Sequence, residues 1–267
     1  MQVVLLPSRR HAVELTAQLI ARQLRRKPNS VLGLATGRTM EALYARLVEM
    51  HQEDKLDFSL AVTFNLDEYV GLPPQHPNSY RYYMNHHLFS RVNIDLRNTH
   101  LPDGMAADPE AECLAYEALI EDVGGIDLQL LSIGRSGHIG FNEPLSAMLS
   151  RTRVKALTPA TIAENAPLFP RPEEMPRLAI TMGVGTILDA EECLMLVTGE
   201  EKAEILARAV EGPVTSMISA TALQLHPRCT VIVDEDAGKL LTQKDYYRWI
   251  FENDPEWDGI RDLIPPR

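Results

Sequence analysis

Short runs of β-branched residues and leucine recur along this chain, each followed by a loop and then by a stretch with helical spacing. The pattern predicts strands at 3–6, 31–34, 61–64, 128–133, 178–181, 194–197 and 230–233. Between them it predicts helices at 12–23, 40–50, 80–88, 109–120, 200–210 and 219–224. Strands that alternate with helices pair in parallel, because a parallel crossover needs a helix-length connection, and such a sheet is covered on both faces. The expected fold is therefore an open, mostly parallel, Rossmann-like α/β sheet with helices on both faces, in a single domain over residues 1–267. A closed barrel would need eight clean β/α units, and the long segment 142–176 interrupts that count.

The chain of 267 residues carries 26 Lys+Arg against 37 Asp+Glu, a formal charge of −11. Nucleic acid demands a broad positive field, so no nucleic-acid partner is expected. No apolar run approaches the ~18 residues of a membrane span, and the short apolar start lacks the basic region and cleavage site of a signal peptide. Cys113, Cys193 and Cys229 lie far apart, with no C-x-x-C pair and no Cys/His spacing suited to zinc. A cytoplasmic protein with reduced thiols and no metal is the expectation.

In open α/β sheets ligands bind beyond the carboxyl ends of the strands, so residues that follow strands are the informative ones. Thr36, Gly37, Arg38 and Thr39 follow the second predicted strand and open a helix, where glycine permits close backbone approach and first-turn N–H groups can hold an anion. Neither the Walker nor the dinucleotide-loop spacing is present, and alone the stretch also reads as an ordinary turn. Asp67 and Glu68 follow the third strand. Either could serve as a general base, or Asp67 could cap the next segment with Glu68 solvated. After the strand at 128–133 comes Gly134-Arg135-Ser136-Gly137-His138, then Asn142-Glu143, a density of Gly, His, Asn and Glu that favours function over a merely structural loop. Lys202 falls in the first turn of a predicted helix, against the macrodipole. A bound anion would resolve that conflict, as would neutralisation by Glu200 and Glu201. Together the four clusters place an anion site, a carboxylate base and a histidine on one rim. Proton transfer on a phosphorylated sugar needs this set.

These residues carry a resemblance. LATGRT (34–39), TFNLDEYVGLP (63–73), HPNSY (76–80), GHIGFNEP (137–144), SRTRVKALT (150–158), GVGTILDAEE (183–192), TGEEK (198–202) and LQLHP (223–227) resemble, in order, the motifs of glucosamine-6-phosphate deaminases over nearly the whole chain. The resemblance implies conversion of glucosamine 6-phosphate and water to fructose 6-phosphate and ammonia, without metal or organic cofactor. It implies Asp67 as the base between C2 and C1, His138 as the group assisting ring opening, and Glu143 as its positioning partner. Thr36, Gly37, Thr39 and Lys202 would hold the phosphate. It also implies a homo-oligomer, hexameric in some members, with a second anion site at which Ser146, Arg153 and Lys155 match; basic residues on one short strand equally form a solvated face.

Three departures stand out. Ser136 occupies a place where many members have aspartate, and a hydroxyl stabilises an imidazolium less than a carboxylate does. Arg38 replaces a loop glycine. Pro167 aligns with the family's phosphate-binding arginine, for which Arg38 or Arg171 is the expected substitute. Three alternatives remain open at this point: a galactosamine-6-phosphate deaminase/isomerase, a 6-phosphogluconolactonase-like hydrolase, and a non-catalytic sugar-phosphate sensor. Lactone hydrolysis leaves the Asp67 cluster without a purpose, and a sensor leaves Asp67, His138 and Glu143 together without one.

Overall fold

The computed structural model describes residues 1–264; the last three residues of the expected domain lie outside the described residues. Seven strands form one wholly parallel sheet: β1 (Gln2–Leu6), β2 (Val31–Leu34), β3 (Val62–Asn65), β5 (Thr99–His100), β6 (Leu128–Leu131), β9 (Glu192–Val197) and β10 (Cys229–Asp234). Three more, β4 (Asp67–Tyr69), β7 (Arg153–Ala156) and β8 (Leu178–Thr181), form a small antiparallel sheet; the strand expected at 178–181 is there, but it pairs antiparallel with two strands that the hydrophobic rhythm does not announce. The helices are α1 (Arg9–Arg26), α2 (Arg38–Asp54), α3 (Tyr80–His87), α4 (Pro109–Asp122), α5 (Pro159–Asn165), α6 (Val184–Leu188), α7 (Ala203–Glu211) and α8 (Lys244–Asn253). Residues 219–225 are a 3₁₀ helix, not the α-helix expected there, and α7 is entered through a 3₁₀ turn at Glu200–Lys202. The sheet is open; no barrel closes.

Strands buried on both faces read as continuous apolar runs, and β2 and the Cys193–Val197 stretch of β9 follow that rule. One large core gathers their side chains with those of α1 and α2, including Leu15, Ile20, Leu43 and Leu47, all at most 1% exposed. A second, smaller cluster that includes Tyr69, Phe141, Phe169 and Leu157 packs beside the small sheet.

The order of the large sheet is β1-β10-β9-β6-β2-β3-β5. From β2 the chain winds outward through β3 to β5, and from β6 it winds the other way through β9 to β10. The switch lies between β2 and β6, where connecting loops part and leave a crevice. The four strands that precede the candidate loops, β9, β6, β2 and β3, are consecutive neighbours around this point. Four sequence clusters spaced over more than a hundred residues are thereby brought to one rim.

Candidate functional site

A cavity of about 1020 Å³ opens at this rim, and Thr36, Gly37, Arg38, Thr39, Asp67, His138 and Lys202 all line it. Two tyrosines fix the first loop: Tyr44 Oη donates to the Ala35 carbonyl at 2.5 Å and Tyr83 Oη to that of Gly37 at 2.8 Å. Gly37 is the N-cap of α2 and supplies no side-chain cap, which leaves first-turn N–H groups open to an anion.

Asp67 and Glu68 are both buried, and their roles are the reverse of the structural alternative. Glu68 does the capping. Its Oε1 accepts from the Tyr69 and Tyr80 N–H groups at 2.8 and 3.0 Å, and its Oε2 from Arg81 N–H at 2.9 Å. It thereby fastens the start of α3 to β4. Asp67 faces the cavity instead. Burial, reinforced by the Glu68 carboxylate, pushes Asp67 up to about 8, and the nearby Phe141 N–H, which donates to Thr181 Oγ1 at 3.0 Å, offsets only part of this. A Cβ added at Gly140 would lie 3.4 Å from Asp67 Oδ2 and 2.9 Å from Thr181 Oγ1, so glycine keeps the wall beside the carboxylate open.

The imidazole is held from one side. His138 Nδ1 lies 2.9 Å from Ser136 Oγ and 3.1 Å from Glu143 Oε2, which fixes the N–H on Nδ1 and leaves Nε2 free to exchange a proton. The ring lies against Gly134, where any Cβ would meet Nε2 at 2.1 Å. Glu143 is 1% exposed. Burial pushes its carboxyl up, but hydrogen bonds from His138, Thr161 and the Thr158 N–H outweigh that and bring it to about 2. Thr161 Oγ1 donates to Glu143 Oε1 at 2.5 Å, and Thr158 N and Oγ1 lie 3.2 Å from the same oxygen. These threonines belong to α5, an element the sequence reading left unassigned. Its signal is present as Thr158-Pro159, an N-cap threonine followed by proline at the first helical position.

Lys202 is the N-cap of α7 and half-buried. Burial lowers it first; Glu164 and Glu201 push it back up, while Arg135 and Arg38 oppose them. Of the two carboxylates expected to neutralise it, Glu200 pairs with Lys239 instead, and Glu201 acts through its charge without an ion pair. No hydrogen-bond or ion-pair partner meets Lys202 Nζ among the described residues, so an anion is the fitting occupant. Two more charges line this end, Arg135 and Glu164, neither foreseen as site residues. Arg171 is not the substitute for an arginine at Pro167: it pairs with Glu174 and does not line the cavity, whereas Pro167 and Arg38 do.

Ser146 and Arg153 are not in the cavity. Arg153 donates to Asn142 Oδ1 at 2.7 Å and to Ser146 Oγ at 3.0 Å, and Ser146 Oγ donates to the Glu143 carbonyl at 2.7 Å. They brace the two ends of the loop that carries Glu143. Lys155 lies two residues beyond on the same strand, β7. Among the described residues no three His, Cys, Asp or Glu side chains converge as a metal site. No helix among them is long and apolar enough to cross a membrane.

Comparison with known proteins gives the family and the fold. The family model described as glucosamine-6-phosphate isomerases/6-phosphogluconolactonase matches residues 8–232. The chain is 53% identical to the glucosamine-6-phosphate deaminase of Shewanella loihica over 250 residues, 94% of this chain and 93% of that protein. It is 47% identical to that of an Arthrobacter species over 260 residues, 97% of this chain and 100% of the other. Among solved structures, a monomeric glucosamine-6-phosphate deaminase superposes with a TM-score of 0.88 at 42% identity, over 90% of this chain and 100% of that one. A 6-phosphogluconolactonase from Trypanosoma cruzi, at 18% identity and a TM-score of 0.72 over 90% of this chain and 97% of its own, shares the fold.

Proposed function

This chain belongs to the family of glucosamine-6-phosphate isomerases and 6-phosphogluconolactonases, and from that premise we propose that it converts glucosamine 6-phosphate and water to fructose 6-phosphate and ammonia. One observation carries the reading: a buried carboxylate at Asp67 and His138, held from behind by Glu143, open onto the same cavity as the unpartnered ammonium of Lys202.

The chemistry follows from those groups. The phosphate sits at the α2 start, with Lys202, Arg38 and the Thr36–Thr39 turn around it. His138 Nε2 passes a proton between the ring oxygen and the C1 hydroxyl, and the sugar opens to its aldehyde. Asp67 then takes the proton from C2; the C–H electron pair becomes the C1–C2 double bond while the C1=O π pair moves onto O1, which takes up a proton. The same carboxyl returns a proton to C1 as the nitrogen lone pair forms the C2=N bond and an N–H proton is released. Carbon 2 now bears an imine, water adds to it, and the C–N bond breaks to release ammonia. A base whose conjugate acid sits at about 8 is strong enough for a C–H proton, and burial away from water maintains that strength. Ser136 supports His138 through Nδ1, with Glu143 as the charged partner.

The remaining parts of the reading are proposals of the same kind. We take residues 1–267 as one catalytic domain that acts in the cytoplasm without cofactor. A homo-oligomer, up to a hexamer, is supported by Leu145 and Leu149, which are 74% and 85% exposed on the loop after Glu143. A sedimentation measurement that finds only monomer at micromolar concentration rejects it. An effector site that uses Ser146, Arg153 and Lys155 is tested by the rate response to N-acetylglucosamine 6-phosphate at subsaturating substrate; a flat response rejects it.

The decisive assay measures ammonia and fructose 6-phosphate released from glucosamine 6-phosphate beside galactosamine 6-phosphate, with Asp67→Asn as control. Turnover of the glucosamine epimer that disappears in the variant supports the reading. Turnover of neither amino sugar refutes it.

A further inference from the structure

The end of the cavity that bears Lys202 holds an arginine that none of the assigned roles uses. Arg135 follows β6, lines the cavity, and has Glu164 of α5 as its counter-ion at 3.3 Å. Its side chain is 61% exposed, and no second acceptor meets it among the described residues. A guanidinium carries five N–H donors in a planar fork that matches a phosphate face. One contact with Glu164 leaves most of that fork unused.

The charges around Lys202 form a single cluster: Glu164 and Glu201 on one side of the balance, Arg135 and Arg38 on the other. A phosphate dianion placed on Lys202 would also meet the Glu164 carboxylate, and like charges in a half-buried pocket repel. Of the other residues that α5 and the turn after it bring to the cavity, Thr161 is engaged with Glu143, Asn165 offers a neutral amide, and Pro167 and Leu168 offer no side-chain donor, so none supplies a cation. A cation is needed that touches both anions.

We propose that Arg135 is a substrate-phosphate ligand, which binds the phosphate with the part of its fork that Glu164 leaves free and so ties α5 to the bound substrate. The proposal rests on the reading of this cavity as a sugar-phosphate site and adds to it one specific residue. Arg135 and Lys202 then grip the phosphate from the loops after β6 and β9, two adjacent strands, while the α2 start meets it from β2.

The test is titration calorimetry with inorganic phosphate and with fructose 6-phosphate, on the wild type, Arg135→Ala, Arg135→Lys, Glu164→Gln and the Arg135→Ala/Glu164→Gln double variant, beside steady-state kinetics. Loss of charge-assisted bonds to a phosphate predicts binding ~10- to 100-fold weaker in Arg135→Ala. An intermediate loss is expected in Arg135→Lys, which keeps the charge without the fork. The same weakening should persist in the Glu164→Gln background, and in kinetics it should fall on KM while kcat changes less than ~3-fold. Unchanged affinity in Arg135→Ala overturns the proposal. So does an effect that vanishes once Glu164 is neutral, because Arg135 would then only cancel that carboxylate; so does a wild type that binds neither ligand. Since calorimetry needs no turnover, an Arg135-dependent phosphate affinity in a protein that releases no ammonia would refute the proposed reaction while sustaining this assignment.

Discussion

Thr161 Oγ1 and Glu143 Oε1 lie 2.5 Å apart, so a hydroxyl from α5 holds the carboxylate that positions His138. The same helix presents Thr161 and Glu164 to the cavity. Segment and catalytic loop are thus joined through a charged, buried hydrogen bond.

Thr161→Val removes that bond and keeps the side-chain shape. Glu143 should rise from about 2, because a bond that favours its ionised form is gone. A fall in kcat of ~10-fold is expected, about the value of one charged hydrogen bond, with the ascending limb set by Asp67 left in place. Thr161→Ser should restore both. Steady-state kinetics and thermal melts of the three proteins check it; a shifted Tm with an unchanged kcat would show a structural role only.

Asp67, held up at about 8 by burial and by Glu68, should give kcat/KM an ascending limb with an apparent pKa near 8 in the free protein. Asp67→Asn should lower turnover ~10²- to 10⁴-fold, the typical contribution of a positioned base. The sign of its stability effect is also fixed. The folded-state value lies above the ordinary aspartate value of 3.8, so the unfolded chain releases the proton first and wild-type stability falls as pH rises from about 4 to about 8. The Tm of Asp67→Asn relative to wild type should therefore climb across that window and level off above it, as thermal melts at several pH values would record.

Glu68→Gln should act in the opposite sense on stability. An amide keeps one acceptor oxygen, for the Tyr69 and Tyr80 N–H groups, but turns its NH2 on the Arg81 N–H where the carboxylate accepted it. A loss of ~2–4 kcal/mol in urea denaturation is expected for buried groups left unpaired. Adjacent carboxylates would then carry opposite consequences, one for rate and one for the fold.

Arg153→Ala leaves the fully buried Asn142 without the guanidinium that meets its Oδ1, and releases Ser146 from the other end of the Glu143 loop. A stability loss of ~1–3 kcal/mol is expected, together with a fall in kcat at unchanged KM, since the phosphate end is untouched. Kinetics on glucosamine 6-phosphate beside chemical denaturation distinguish the two effects.

The parallel sheet is legible in the chain because its strands are apolar on both faces and its crossovers have helical spacing. The loop at 36–39, His138 and Lys202 are legible because each follows such a strand. What escapes has physical reasons. Strand β4 has three residues and β5 two, too few for any periodicity. The division of labour between Asp67 and Glu68 depends on amides at 80 and 81, which only tertiary folding brings near. Arg135 stands within a recognised motif, but the direction of a long side chain leaves no mark in sequence. Helix α5 and α8 are different: Thr158-Pro159 marks the first, and Tyr247, Ile250 and Phe251 at helical spacing mark the second.

Leu66 sits at the seam between the two sheets, with its N–H on the Leu34 carbonyl at 3.1 Å and its own carbonyl accepting Met182 N–H at 2.7 Å. On one side of that seam, two residues beyond Leu34, begins the turn proposed to grip the phosphate; on the other, one residue beyond Leu66, stands the proposed base. Backbone bonds thus set the span between the two ends of the substrate, like the fixed jaws of a gauge. Changes to the lining can alter which hydroxyl or amine is preferred, but the number of carbons between the reacting centre and the phosphate is measured by the main chain.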